Sequence, residues 1–381
     1  MLQFHPLTGG YETQSLLIAR ELVRHRVPVH VVTRRFAKLR RHDVYCDIRV
    51  HRVRAVGNGH LGAFTYVIAS FFSVARIRGR VAVLFSNRLS SGIAAGIIGR
   101  ILGKPVLCRL TSGDEVERAR LLTTRYGRMK LFCLRSGVDC FVALTQKIEN
   151  DLKAAGIPAE RIVRISNGVE LVPRGYDRAA ICRELDLEPR ARVVVFVGRL
   201  VPEKGVDLLL QAWAGVVAAA PDARLLVVGD GPERTSLEAG ARQLGVIGSV
   251  RFVGNQSDVF RFHAVSDVFV LPSRREGISN ALLEALSLGL PAVVGDDRFG
   301  GNRELVGDGE NGFVVPTDDV PALRGALLRL IEDDDLRARM GRCARERVAR
   351  TAAIERIAER YAEVCERLVR GLPPASAEAV P

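Results

Sequence analysis

Short runs of β-branched and aliphatic residues alternate with amphipathic stretches along most of the chain, and this alternation constrains its fold more than any other feature. In the second half, Val193 to Val197, Leu225 to Val228, Val250 to Val253, Val268 to Leu271, Ala292 to Val294 and Phe313 to Val315 read as strands. Helical stretches such as Val206 to Ala219 and Glu233 to Leu244 separate them. Strands that are apolar throughout and divided by helices imply right-handed βαβ units in a parallel sheet covered on both faces. The first half repeats the pattern, with strands expected at Val29 to Thr33, Ile48 to Val53, Val81 to Ser86, Val106 to Leu110 and Phe141 to Leu144. Helices are expected at Thr13 to His25, Phe64 to Ile77, Ser91 to Leu102 and Val116 to Arg135, and the opening Leu2-Gln3-Phe4 reads as a strand.

A chain of 381 residues exceeds one ordinary core and implies two domains. The periodicity breaks between Gly168 and Arg190, where Asn167-Gly168, Pro173 and Pro189 fall. The expected division is therefore 1–170, 171–350 and a closing segment 351–381. That segment holds a helix from Ala353 to Val369, stopped by Gly371-Leu372-Pro373-Pro374, and a disordered tail. With 48% hydrophobic and 26% charged residues the composition is that of a soluble globular protein. No apolar run approaches the roughly 20 residues that span a bilayer, and no secretory leader is visible. The seven cysteines are scattered, which points to reduced thiols in a cytoplasm rather than a zinc site or a disulfide framework.

Charge is unevenly divided. Before Glu170 there are 28 lysines and arginines against 11 acids, a net +17, and the remainder carries −4. Such a field attracts anionic lipid, nucleic acid or a charged substrate, although an arginine-rich surface arises without any ligand as well. The stretch Ala63 to Ile77, with Phe64, Tyr66, Phe71 and Phe72 ahead of Arg76, Arg78 and Arg80, suits either a sheet cover or a membrane surface. The basic run Arg118 to Arg135 reads as a solvated helix face or a dock for lipid phosphate.

Chemistry concentrates in the loops that follow the strands. Glu276 follows the strand Val268 to Leu271 and Glu284 lies in the next helical stretch, so both carboxylates can reach the carboxyl end of a parallel sheet. Acceptor-only carboxylates suit vicinal hydroxyls of a sugar, and the helix start nearby offers N–H groups to phosphate. Acids at a helix start also occur simply because the dipole favours them. In Gly198-Arg199-Leu200-Val201-Pro202-Glu203-Lys204-Gly205, Arg199 and Lys204 sit on another such loop, where two cations can neutralise a diphosphate and stabilise it as a leaving group. The two loops together point to a nucleotide-sugar site. Gly229-Asp230-Gly231-Pro232 is a third loop permitting close backbone approach. In the first half, Gly9 and Gly10 precede a helix and can present amides to phosphate.

In order and spacing, Gly9-Gly10-x-Glu12, Asn167-Gly168-Val169, Gly198-Arg199-Leu200-x-Pro202-Glu203-Lys204-Gly205, Gly229-Asp230-Gly231-Pro232 and Glu276-Gly277 through Glu284 resemble the family-4 retaining glycosyltransferases over nearly the whole chain. The resemblance implies a GT-B fold: α/β, two Rossmann-like parallel-sheet domains facing across a cleft, the first for acceptor and the second for donor, with the last helix crossing back. It implies that Arg199 and Lys204 hold the donor diphosphate, Glu276 the sugar hydroxyls and Glu284 the ribose. Gly198, Gly277, Ile278, Ser279 and Asn280 would assist around sugar and phosphate, and Gly10 would approach the phosphate from the first domain. It further implies retention of anomeric configuration without a metal or other cofactor, and Asp296-Asp297 reads as a strand-end loop rather than a metal motif. Many relatives carry a histidine after the strand matching Val106 to Leu110. Here Ser112 or Asp114 stands nearby, and His5 is a further candidate for the missing imidazole.

The expectation is a metal-independent hexosyltransferase in the cytoplasm, peripheral on an anionic membrane. It would use a UDP- or GDP-sugar and a lipid-linked or saccharide acceptor in cell-envelope polysaccharide or glycolipid synthesis. A sugar-nucleotide 2-epimerase of the same architecture is the alternative enzyme. A nucleic-acid-binding protein is suggested by the pI of about 9.9 but disfavoured, because aromatics are not interleaved with the basic residues and no reading motif is present.

Overall fold

The computed structural model describes residues 4, 9–36, 39–57, 59–111, 123–171, 175–188 and 190–374. The chain forms two compact units, Val169–Ala353 and a discontinuous one made of Met1–Gly168 with Ile354–Pro381. These limits fall within three residues of 170 and 350, and the closing segment belongs to the unit of the first half. The expected strand at Leu2-Gln3-Phe4 falls largely outside the described residues, as do Ser112, Asp114, His5, the first part of the Val116 to Arg135 stretch and the tail from 375.

The discontinuous unit has two sheets among its described residues. β1 (His30–Arg34), β2 (His42–Tyr45) and β3 (Ile48–Val53) are ordered β1-β3-β2, with β1 parallel to β3 and β2 antiparallel on the edge. β4 (Leu84–Asn87), β5 (Val106–Arg109), β6 (Cys140–Ala143) and β7 (Ile162–Arg164) form a parallel sheet in chain order. The helix Ile354–Val369 buries Ile354, Ile357, Ala358, Tyr361, Val364 and Leu368, a spacing that places them along one face. That face packs with Ile18, Leu107, Val142 and Val163, so the last helix completes a core begun by the first.

Polar groups tie the first helix, Gly10–Arg24, into this unit. Gln14 donates from Nε2 to the Gly168 carbonyl at 2.8 Å and accepts the Gly168 N–H at 2.9 Å. Arg109, at the end of β5 and almost wholly buried, donates to the side-chain carbonyls of Asn87 and Asn167. Asn87 in turn donates to Ser15 at 3.0 Å. A buried cation met by neutral oxygens depends on these bonds to offset its desolvation.

The contiguous unit holds β8 (Arg192–Val197), β9 (Ala223–Val228), β10 (Val250–Gly254), β11 (Val268–Leu271), β12 (Ala292–Gly295) and β13 (Gly312–Val315), all parallel, in the order β10-β9-β8-β11-β12-β13. Numbered within the unit this is 3-2-1-4-5-6, the doubly wound order, whose direction reverses between β8 and β11. β8 pairs with β9 along its whole length, but with β11 only at Val194 and Val195. Two residues before their carboxyl ends the central strands lose their ladder, at the point where sheets of this order bind ligands.

Candidate active site

The loops after β8 and β11 meet at this reversal point. After β8 the chain makes a short 3-10 turn, Pro202–Lys204, and enters the helix Val206–Ala219 through Gly205 at φ 68°. A side chain at Gly205 would be strained by that dihedral and would meet the Pro272 carbonyl of the loop after β11, so glycine lets the two loops lie backbone to backbone. Lys204 at the end of the turn forms an ion pair with Glu276, one residue being mostly buried and the other buried. Burial strengthens such a pair and shields it from salt.

Arg274 holds the loop in place. Its Nη1 and Nη2 reach Asp207 at 3.2 and 3.0 Å, Nε reaches Asp318 at 2.7 Å, and Nη1 also donates to the Pro202 carbonyl at 2.6 Å. The hydrogen bond to Asp207 and then that to Asp318 hold its guanidinium pKa above the usual range. From the other side, buried Asp297 accepts the N–H groups of Glu276 at 3.2 Å, Phe299 at 2.8 Å and Asn302 at 2.9 Å. Burial raises its carboxyl pKa, with those backbone N–H groups acting in the opposite direction. Gly301 lies against the Gly277 carbonyl so closely that no side chain fits there.

Downstream, Ser279 caps the helix Asn280–Ser287 by accepting the Leu282 N–H at 3.3 Å. Ile278 and Ser279 are buried, while Gly277 and Asn280 are half-buried at the start of that helix. Glu284 lies in that helix, with its Oε2 3.9 Å from Nε2 of His263. His263 is fully buried between the rings of Phe260 and Phe269, and neither ring nitrogen has a hydrogen-bond partner. Burial drives its pKa down to about 3, so the imidazole is neutral and this contact is not an ion pair.

Of the expected residues, the structure thus joins Lys204 to Glu276 and places Gly277, Ile278, Ser279, Asn280 and Glu284 on one continuous segment after β11. Gly198 and exposed Arg199 lie on the loop after β8. Gly10 opens the first helix of the other unit, and Ser112, Asp114 and His5 lie outside the described residues. Arg274 and His263 were not singled out in the sequence, and Asp297 was read there only as part of a strand-end loop. The arrangement offers a cation and a carboxylate at a helix-start crevice, a chemistry suited to a phosphorylated, hydroxylated ligand.

Residues 8–173 match the family model described as Glycosyltransferase Family 4, and residues 177–347 match Glycosyl transferases group 1. The lipopolysaccharide core biosynthesis glycosyltransferase LpsE of Rhizobium meliloti is 34% identical over 59% of this chain and 64% of its own. A GDP-mannose-dependent monoacylated alpha-(1-6)-phosphatidylinositol monomannoside mannosyltransferase of Corynebacterium glutamicum is 33% identical over 67% of this chain and 68% of its own. HepE of Anabaena, solved in complex with UDP, superposes with a TM-score of 0.80 over 96% of this chain and 100% of its own, at 21% identity. The chain belongs to the family-4, group 1 glycosyltransferases. Its α/β architecture, with two Rossmann-like units, is the GT-B fold, and it is a glycosyltransferase.

Proposed function

We propose that this enzyme moves a hexosyl group, with retention, from a UDP- or GDP-sugar to a lipid-linked or saccharide acceptor in the synthesis of a cell-envelope polysaccharide or glycolipid. The observation that carries the reading is the Lys204–Glu276 ion pair at the reversal point of the second sheet. Lys204 has three donors, so it can keep Glu276 and still take a phosphate oxygen. Glu276 has acceptor positions left for sugar hydroxyls, and Glu284 lies eight residues further on, in the helix Asn280–Ser287, for the ribose. LpsE is named for lipopolysaccharide core biosynthesis and the mannosyltransferase for GDP-mannose and a phosphatidylinositol monomannoside, which supports the acceptor class, and HepE has also been solved with UDP-glucose, which supports the donor class.

In the proposed reaction the acceptor oxygen bonds to the anomeric carbon as the bond from that carbon to the donor phosphate oxygen breaks. The departing diphosphate takes the acceptor proton, so attack and departure share one face of the sugar. Lys204 and Arg199 stabilise the charge growing on the diphosphate, which makes them worth more in the transition state than in the ground state. This route uses no metal and no other cofactor. The acceptor is read as presented at an anionic membrane surface on the cytoplasmic side. Transfer from UDP- and GDP-hexoses is compared for wild type, Lys204→Ala and Glu276→Ala. Unchanged turnover in both variants would remove the assignment, and sugar epimerisation without an acceptor would favour the 2-epimerase.

A further inference from the structure

We propose that His263 is a positioning residue for donor recognition: with a nucleotide bound it donates from Nε2 to the carboxylate of Glu284, and so fixes the orientation in which Glu284 receives the ribose hydroxyls. This role rests on the reading of Glu284 as the ribose carboxylate and adds what holds that carboxylate.

His263 lies in the short helix Phe260–Ala264, just ahead of β11. Its ring is 6.3 Å from that of Phe260 and 5.6 Å from that of Phe269 on β11, centroid to centroid, and the whole side chain is buried. Both ring nitrogens lack a hydrogen-bond partner. A polar ring buried in that condition costs free energy that a leucine or phenylalanine would not. Packing alone therefore does not account for a histidine at this position. The polar group that the structure sets beside it is the carboxylate of Glu284.

The 3.9 Å between Nε2 and Oε2 is too long for a hydrogen bond, and closing it by about 1 Å gives an N–H···O⁻ bond of ordinary length. Hydrogen bonds in active sites commonly tighten in this way when substrate enters. The two partners differ in freedom. The imidazole is enclosed on all sides, whereas the side chain of Glu284 keeps 18% of its surface exposed, so the carboxylate is the group that moves. A donor locked by packing thus gives a movable acceptor one preferred place.

The charge state of the ring fits this role. Burial holds the imidazole neutral, leaving it one N–H and one lone pair. With its hydrogen on Nε2 the ring attracts Oε2, and with its hydrogen on Nδ1 a lone pair would face the carboxylate and repel it. A lysine or arginine in the same place would bring a full opposing charge to Glu284. A neutral N–H orients the carboxylate and leaves its charge for the hydroxyls. Both demands can be met together, because an ionised carboxylate has about four acceptor positions.

Titration calorimetry at one fixed pH, with the accepted nucleoside diphosphate, UDP or GDP, and with its 2′,3′-dideoxy analogue, tests the proposal. Wild type is expected to favour the ribonucleotide by about tenfold or more. His263→Phe and His263→Leu are expected to lower that preference by about fivefold while binding the dideoxy analogue as wild type does. His263→Gln keeps a donor near the Nε2 position and is expected to restore the preference. In transfer assays the apolar variants are expected to raise KM for donor and leave kcat within about twofold of wild type, the pattern of a binding contact remote from the bond that breaks. Loss of affinity for both nucleotides alike would assign His263 to packing only and overturn the proposal, as would an unchanged preference in the two apolar variants. Glu284→Ala separates the two readings. If it abolishes the preference and His263→Phe does not, the ribose assignment stands and the role of His263 falls. If it leaves the preference intact, the ribose assignment itself falls.

Discussion

The amide of Glu276 donates to Oδ1 of Asp297 at 3.2 Å, so a carboxylate on the loop after β12 sets the backbone of the residue that pairs with Lys204. The same buried group holds Phe299 and Asn302, drawing two loops onto one point. Asp297→Asn replaces one accepting oxygen by a donor that faces an N–H group. The expected cost is about 1–3 kcal/mol of stability, together with a raised KM for donor. Calorimetry and initial-rate kinetics check both, and wild-type KM in a destabilised variant would separate Asp297 from the site.

Removing Lys204 is expected to lower kcat by about 10²–10³-fold, by analogy with loss of one preorganised donor to a developing anion. Glu276→Gln keeps the shape but not the charge, and is expected to weaken both the Lys204 contact and the grip on hydroxyls. Steady-state rates with the accepted donor measure each.

A thermal-shift panel over UDP, GDP, ADP and dTDP reports the base. One diphosphate at about 100 times its Kd adds about 2.7 kcal/mol to the folded state, and Lys204→Ala is expected to erase most of that gain. Equal shifts in wild type and variant would remove Lys204 from the diphosphate site.

Gly205→Ala places a methyl group against the Pro272 carbonyl at φ 68°. The strain is expected to part the loops after β8 and β11 and weaken nucleotide binding by at least tenfold, with far-ultraviolet circular dichroism unchanged. Titration calorimetry with the nucleotide identified by the panel provides the measurement.

His263 predicts a pH dependence. In the unfolded chain an imidazole titrates near 6.5, and burial holds His263 down to about 3 in the fold. A base with a depressed folded pKa contributes its stability in full above 6.5 and loses it as pH falls toward 3, because protons bind the unfolded chain first. Between pH 7.5 and 5.5 the loss is about 1 kcal/mol. His263→Phe is expected to remove that part, so the melting temperature of wild type should fall by about 2–4 °C more than that of the variant over this interval.

Elements with strong local signals were legible in the sequence. Val206 to Ala219 coincides with a helix because it is a long amphipathic stretch, and Val268 to Leu271 with a strand because it is a short unbroken apolar run bounded by turn residues. β2 was missed because His42 to Tyr45 is a short, polar edge strand whose pairing comes from β3, and β7 has only Ile162 to Arg164. The charged loops could be seen as loops, since glycines and prolines punctuate them. The ties between them could not. Asp297 reaches Glu276 across 21 residues and Arg274 reaches Asp207 across 67, and no periodicity encodes such partners. His263 gave no signal because a lone histidine in an apolar stretch has the same local pattern whether it packs or contacts a carboxylate.

The helix Ile354–Val369 buries its face on Ile18, Leu107 and Val142, residues made at least 212 positions earlier. During synthesis the opening half must therefore wait with its interior uncovered until residue 369 has emerged, while the uninterrupted stretch 169–353 can close first. The order of translation and the order of maturation are thus reversed for the two units, and a chain cut short before Ile354 leaves a finished second unit tethered to an unfinished, aggregation-prone first one.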